Sequence, residues 1–422
     1  MGHSLGRRGL ILSSAMLILP ILSQSVFAGG FALREQSSYY QGLSFAGNAT
    51  TGPSISSVFW NPATITGARD GLTAEFHNTL IVPRSYVDVS PSSTLAAYGN
   101  SGDIGSDAWI GSNYVSYNVN DRLYLGLGIN APFGLSTKPN FTWAGQVYNR
   151  SSKVFSVNAN PMIGYKINDR ISVGFGAQIQ YLSVRLKSAS GVAVGAASTV
   201  LEGDDVGIGV TAGVTIRPMK GTEIGLGYRS GVSHGLSGTL FTPVAAGALP
   251  PGTYNITADL ITTDTVTLSA KQSVNEKLRL LGSVEWANWS RLKQPAVKLA
   301  SSGTQVTSLR FNYDDGYFVA LGAEYDYNEQ LTFRAGAAYE WSPIDTAIRS
   351  ARLPDNDRIW VSGGATYNVN DRLSLDFGYS HIFGTDTKLR VGPGHQDFNG
   401  VSLIADVDSS VDILSASLRY TF

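Results

Sequence analysis

The side chains best able to do covalent chemistry are few in this chain and lie far apart. Beyond residue 28, histidine occurs only at His77, His234, His381 and His395. No Gly-x-Ser-x-Gly elbow presents a serine nucleophile, and no His-Glu-x-x-His pair stands ready to grip zinc. Cysteine is absent, which excludes disulfides and thiol catalysis and argues against a structural zinc site. The glycine pairs Gly207/Gly209 and Gly225/Gly227 sit in alternating stretches and are not phosphate loops. Asp355-Asn356-Asp357 reads as an acidic turn rather than a cation loop. No enzyme activity, cofactor or metal is expected. Two other groups of residues suggest binding. Pro132 opens a loop carrying Phe133, Leu135, Phe141, Trp143 and Val147, apolar surface suited to a hydrophobic molecule. Arg217, Arg279, Arg334, Arg372 and Arg419 recur near one end of successive polar faces. They form either a track for carboxylates or a ring paired with acids such as Asp376 and Glu35. The cost of unpaired buried charge favours the ring.

These residues need a scaffold, and the chain repeats its design five times. YNVNDRLYLGLG (Tyr117 to Gly128), YKINDRISVGFG (Tyr165 to Gly176), QSVNEKLRLLGS (Gln272 to Ser283), YDYNEQLTFRAG (Tyr325 to Gly336) and YNVNDRLSLDFG (Tyr367 to Gly378) share one pattern. Each joins two alternating stretches through a tight Asn-centred turn, the mark of a hairpin. The alternation is one-sided. Near the end, Leu414, Ala416, Leu418, Tyr420 and Phe422 oppose Ser415, Ser417, Arg419 and Thr421. The apolar face ends in aromatics and the other is rich in Gly, Ser and charge, as around a polar lumen in a membrane. Charged residues make up only 15% and mean hydropathy is +0.00; this is neither an ordinary soluble domain nor a helical membrane protein. In lipid a sheet must close, because an open edge leaves backbone groups without partners. Strand-like spans number about fourteen, with short turns at one end and long connections at the other. The third is read over 122–133, the seventh over 221–238 and the eighth over 256–274. The expected fold is all-β: a 14-stranded antiparallel transmembrane β-barrel.

The first residues look like an export signal. Arg7 and Arg8 precede an apolar run from Leu10 to Leu22, and Val26-Phe27-Ala28 offers small residues at a cleavage site. The run falls short of the ~20 residues of a spanning helix. Residues 29–70 precede the first strand and carry Phe31, Leu33, Tyr39, Tyr40, Phe45, Phe59 and Trp60, more aromatics than a disordered tail holds. A barrel of this size has room for such a segment inside it. The expected division is 1–28 signal peptide, 29–70 N-terminal hatch or plug, and 71–422 barrel.

The mature start GGFALREQSSYYQGLSFAGNATTG, followed by FWNPATITG, resembles the hatch of the FadL-type long-chain fatty acid transporters. That family (OmpP1/FadL/TodX-like) also includes uptake proteins for aromatic hydrocarbons. The matching elements are Gly30-Phe31, Leu33, Glu35, Ser37, Gly42, Ala46-Gly47 and the tripeptide Asn61-Pro62-Ala63. APFGLSTKPNFTWAGQVYNRSSK (Ala131 to Lys153) is similar to the family's outer loop, and ARLPDNDRIWVSGGATY (Ala351 to Tyr367) to a late strand. The resemblance covers most of the chain beyond residue 28.

It implies passive transport of hydrophobic molecules, with long-chain fatty acid as the family default. Ligand would be captured by apolar outer loops, pass to a lumen pocket and leave through a lateral opening at a kink in the third strand. Hydrophobic contacts are expected from Phe31, Leu33, Phe59, Trp60, Phe133, Leu135, Phe141 and Trp143. Arg185 and Lys187 are the head-group candidates. Gly126, Gly128 and Pro132 mark the opening, since Gly weakens a strand and Pro removes a ladder donor. Terminal Phe422 fits a signal for the outer-membrane assembly machinery. The expected setting is the outer membrane of a Gram-negative bacterium, among membrane lipid and lipopolysaccharide, as a monomer. The net charge of −1 and the lack of a basic tract exclude nucleic acid. The alternatives are aromatic-hydrocarbon uptake within the same family, and a water-filled porin or adhesin barrel.

Overall fold

The five Asn-centred turns are built alike. In the first, Asn120 Oδ1 accepts from the N–H of Arg122 and Leu123, both at 3.0 Å. Asn168, Asn275, Asn328 and Asn370 accept the same two bonds in their own turns. A side chain that bonds its own backbone two residues on fixes each hairpin, and with it the register of the strands it joins.

The computed structural model describes residues 29–247 and 249–422; the export signal expected over 1–28 lies outside the described residues. Its strands are β1 (Leu72–Val89), β2 (Ala108–Asn118), β3 (Leu123–Asn130), β4 (Gly134–Thr137), β5 (Ser151–Lys166), β6 (Ile171–Ala189) and β7 (Ser198–Met219). Then follow β8 (Thr222–Arg229), β9 (Ser233–Thr242), β10 (Gly252–Ile261), β11 (Thr265–Ser273), β12 (Leu278–Ala287), β13 (Ala296–Leu299) and β14 (Gln305–Ser308). The last are β15 (Gly316–Asp326), β16 (Leu331–Trp341), β17 (Arg358–Asn368), β18 (Leu373–Gly384), β19 (Thr387–Val391) and β20 (Leu403–Thr421). Neighbours pair antiparallel, and β20 closes on β1 from Thr73↔Thr421 to Val89↔Ala405. β4 prolongs β3, β9 prolongs β8, β11 prolongs β10 and β19 prolongs β18, while β13 and β14 form a hairpin beside β10. The wall is therefore a closed barrel of fourteen staves.

The third, seventh and eighth staves differ from the spans read for them. The third ends as regular strand at Asn130, not at residue 133, and the stretches 221–238 and 256–274 are interrupted at 230–232 and 262–264. Outward side chains such as Phe76, Leu125, Phe175, Leu268, Leu321 and Phe377 are exposed, whereas inward neighbours such as Glu75, His77, Thr267, Ser269 and Asp376 are buried and polar. That is the inversion expected when lipid, not water, surrounds the sheet.

Residues 29–70 lie among the inward side chains of staves around the whole wall. Ser38 N–H donates to His77 of β1, Ala49 N–H to Ser269 of β11, Gly47 N–H to Ser283 of β12, and Gln41 Nε2 to the Ile413 carbonyl of β20. Wall glycines let the two backbones touch. A Cβ at Gly225 would sit 1.8 Å from the Ala49 carbonyl oxygen, and one at Gly336 2.1 Å from that of Leu43. Such approaches exclude any other residue at those positions.

Candidate functional site

Two cavities lie one behind the other. The outer one, about 270 Å³, is lined by Phe31, Leu135 of β4, Leu182 of β6, Leu260 of β10, Leu309 and Leu353. Alternation builds it: inward positions that are polar within the membrane become leucine and valine above it. Arg310 and Arg352 are the cations of its lining. Arg352 Nε donates to the Tyr148 carbonyl at 3.0 Å, and among the described residues it has no ion pair. Burial lowers its pKa, opposed by the charge of Asp397. An unpaired guanidinium beside leucines suits a molecule with an acidic end and an alkyl body.

The inner cavity, about 50 Å³, is lined by Leu33, Phe59, Trp60 and Phe133, with Arg229 of β8 among the polar groups. The Arg229 guanidinium stacks over Phe59 at 4.2 Å and donates to the Phe59 carbonyl at 3.0 Å. It too has no carboxylate partner among the described residues. Arg34, by contrast, is held by Glu285 at 2.8 Å and Glu340 at 3.3 Å.

One short ladder stands between the cavities. Leu33 N–H donates to the Pro132 carbonyl at 2.8 Å, and Gly134 N–H to the Phe31 carbonyl at 2.9 Å. Phe31 and Phe133 come together there, ring centroids 5.8 Å apart, and Trp289 caps Phe31 edge-on at 4.7 Å. Gly30 N–H is tied to Asp355 at 3.0 Å, which gives that acidic turn an anchoring role.

Six of the eight expected hydrophobic contacts line a cavity: Phe31 and Leu135 the outer, Leu33, Phe59, Trp60 and Phe133 the inner. Phe141 and Trp143 do not. Phe141 is 60% exposed under the Arg150 guanidinium, and Trp143 is buried within the loop, its Nε1 donating to the Asn149 carbonyl at 2.8 Å. The head-group candidates are corrected. Arg185 and Lys187 share the outward parity of Phe175, Ile179 and Tyr181, and Arg185 is half exposed and pairs with Glu202 at 3.3 Å. Arg229 and Arg352 line the two cavities instead. Arg352 stands in the late-strand segment, but only the folded chain reveals that it forms no ion pair among the described residues.

Asn61-Pro62-Ala63 is a clamp on the wall. Asn61 Nδ2 donates to the carbonyls of Ala49 at 2.8 Å and Val214 at 3.0 Å, while Oδ1 caps Ala63 N–H at 3.0 Å. Pro62 sits at the start of the 3₁₀ turn Pro62–Gly67 that this cap begins. The arginine ring is paired: Arg217 with Glu223 at 2.9 Å, Arg279 with Glu324 and Asp326, Arg334 with Asp376, and Arg419 with Glu75. Arg372 stays exposed at its turn. Glu35 is not part of the ring; its carboxyl oxygens are buried with no hydrogen-bond partner.

Gly126 and Gly128 are laddered on both sides, to β2 and to β5. Gly126 seats Ile65, whose Cδ1 lies 2.3 Å from where a Cβ would stand. The wall parts farther out. β2 pairs with β3 only as far as Asn113↔Ile129, so Ala108–Ser112 have no ladder partner on that side, and the chain beyond Asn130 turns to the Phe31–Leu33 segment through Pro132.

Comparison with known proteins places these features. The model of the family described as outer membrane protein transport protein (OMPP1/FadL/TodX) matches residues 19–422. A long-chain fatty acid transport protein of Escherichia coli O6:H1 is 27% identical, over 92% of this chain and 95% of its own length. Outer membrane protein P1 of Haemophilus influenzae is 28% identical over 89% of each. Among solved structures, a Pseudomonas aeruginosa FadL homologue superposes with TM-score 0.84 at 23% identity, covering 94% of this chain and 100% of the other. The toluene transporter TodX of P. putida superposes with TM-score 0.70 at 16% identity, covering 91% and 98%.

Proposed function

This chain belongs to the OMPP1/FadL/TodX family of outer-membrane transport proteins, and on that premise we propose that it carries long-chain fatty acids passively across the outer membrane of a Gram-negative cell. Arg352 is the observation that selects an acid from the hydrophobic molecules such a barrel can take. A half-buried guanidinium that forms no direct ion pair, with Asp397 as an acid of the same cavity, is suited to a carboxylate that a ligand supplies. Aromatic hydrocarbons bring no charge, so Arg352 and Arg229 disfavour them.

In this reading residues 1–28 are the export signal, 29–70 a movable hatch and 71–422 the barrel. The acyl chain lies first among Leu135, Leu182 and Leu260, with its carboxylate at Arg352. Passage inward requires Phe31 to part from Phe133, and so requires the Phe31–Leu33 ladder to leave Pro132–Gly134. Opening costs two backbone bonds, each worth about 1 kcal/mol net. Arg229 then receives the carboxylate, and the unladdered edge at Ala108–Ser112 offers a lateral way out near Pro132. The barrel works as a monomer, its outer loops face lipopolysaccharide, and Phe422 is read by the assembly machinery.

Displacement of a fluorescent fatty acid from the purified barrel tests the reading. Oleate should compete, and Arg352→Gln should weaken it about tenfold, the loss of one charge-assisted bond. Competition by toluene but not by oleate would transfer the assignment to aromatic hydrocarbons. A large steady conductance of the intact chain in planar bilayers would replace it with a porin.

A further inference from the structure

The wall is interrupted a second time, between β7 and the kinked stave β8–β9. β7 pairs with β8 up to Thr211↔Arg229 and with β9 from Asp204↔Ser237 onward. Residues 205–210 thus face residues 230–236 without a regular ladder, and the facing stretch is one residue longer. The rims are tied. At the lower rim Ser230 N–H donates to the Val210 carbonyl and Val210 N–H to Ser230 Oγ, both at 2.9 Å. At the upper rim Gly235 N–H donates to Asp205 at 3.1 Å, and His234 Nδ1 lies 3.3 Å from the same carboxylate. On its other side β7 is laddered to β6 without a break, through Gly207↔Gln180 and Gly209↔Gln178. The neighbour is what departs. Segments 230–232 and 262–264 bend together, joined by Val232 N–H to Thr262 Oγ1 at 2.8 Å, Thr262 N–H to the Val232 carbonyl at 3.0 Å and Gly231 N–H to Asp264 at 2.9 Å. A kink whose own polar groups are so well satisfied is a built feature.

The gap lies between the inner cavity and the lipid-facing surface. On the inside, Ser230, Thr262 and Thr263 line the inner cavity beside Gln178 and Arg229. On the outside are Val206 and Ile208; at 74% exposure, no other large apolar side chain among the described residues is more open than Ile208. Val232 is fully buried in the space between, beside the Ser233 carbonyl and Ser230 Oγ. A Cβ at Gly207 would stand 2.4 Å from the Ser233 carbonyl oxygen and 2.5 Å from Val232 Cγ1, and one at Gly209 2.8 Å from Ser230 Oγ and 2.9 Å from Val232 Cγ2. The two glycines form a slot, and Val232 is the apolar side chain in it. Opening a laddered wall in lipid would strand backbone donors and acceptors. Here the regular ladder is already absent, and exchanging an isopropyl group for an alkyl chain replaces one apolar contact by another.

We propose that this slot is a second side passage between the inner cavity and the surrounding lipid, sized for an unbranched alkyl chain whose carboxylate is held by Arg229. The proposal rests on the transport reading above. It is tested on the full barrel in lipid vesicles with a fatty acid carrying a diazirine on its chain, the adducts being mapped by mass spectrometry. Oleate-competable adducts are expected on Gly207, Gly209 and Val232. Adducts on lipid-facing Leu321 should resist competition and so report simple partition into the bilayer. Val232→Ala removes about two buried methyl groups and should raise slot labelling on the order of tenfold. Competable adducts at Phe59 and Trp60 but none in the slot, with Val232→Ala without effect, would overturn the passage and leave the transport reading intact. Absence of competable adducts anywhere inside the barrel would overturn both.

Discussion

Neutralising Glu35 should remove a pH dependence from the docking of the N-terminal segment. The Glu35 carboxyl is 1% exposed, and neither oxygen has a hydrogen-bond partner. The charges that face it are Arg34 beside it, Glu340 of β16 and Arg358 of β17. Both arginines already serve other acids: Arg34 pairs with Glu285 and Glu340, Arg358 with Asp355 and Glu340. Burial therefore dominates and pushes the Glu35 pKa up to about 7 from its ordinary 4.5. The sign follows. A raised pKa means that the docked segment prefers the neutral acid, so its contribution is complete below about pH 4.5 and is lost as pH rises through about 7. The full difference is on the order of 3 kcal/mol, comparable with the two backbone bonds that hold Phe31–Leu33 to Pro132–Gly134. Because the chain has no cysteine, a spin label at Ala32→Cys reports this segment alone. Its mobility should rise between pH 5 and 8 in the parent and stay low and flat in Glu35→Gln. An equal rise in both proteins would refute the reasoning, as would a flat parent.

Three further outcomes follow from the geometry. Asp376→Asn strips the fully buried Arg334 of its carboxylate and should cost about 3–5 kcal/mol in urea unfolding of the barrel. Gly126→Leu should unseat Ile65 and mobilise the segment after Asn61, read by a spin label at Thr64→Cys; a rigid label would show that the seat is not needed. Phe141→Ala should leave oleate affinity within about twofold, since its ring meets Arg150 and solvent rather than a cavity, and a tenfold loss would return it to the ligand path.

Much of the container was legible because hairpins are local. An Asn that bonds the N–H groups two and three residues on is visible in five short strings, and it fixes which side chains face lipid. The cavities were legible only in part. Phe31, Leu182, Leu260 and Leu353 meet through closure of the whole sheet, and no spacing along the chain announces that. The arginines that line the cavities were missed for a related reason. Arg185 and Lys187 share the parity of Phe175 and Tyr181, so alternation could have placed them outside. That neither Arg352 nor Arg229 forms a direct ion pair among the described residues is a property of the folded neighbourhood.

The second wall gap was hidden by a coincidence of two reversals. Ile224, Leu226 and Tyr228 point outward to lipid, yet Val232, Leu236 and Leu240, of the same parity, point inward. The same switch separates inward Ile256, Ala258 and Leu260 from outward Leu268. Within the membrane the outside of the sheet is apolar and the inside polar, while above it the inside is an apolar cavity wall. A stave that shifts phase by one residue at that boundary exchanges its faces just where their required polarity also exchanges. The hydrophobic alternation then runs on unbroken across 221–238 and 256–274, and the kinks leave it unmarked. Ser230-Gly231 and Asp264 are the local breaker signals that survive. An alternation that ignores the change from lipid to cavity therefore conceals a phase shift between lipid-facing and cavity-facing residues, and such a shift is what a passage through a barrel wall requires.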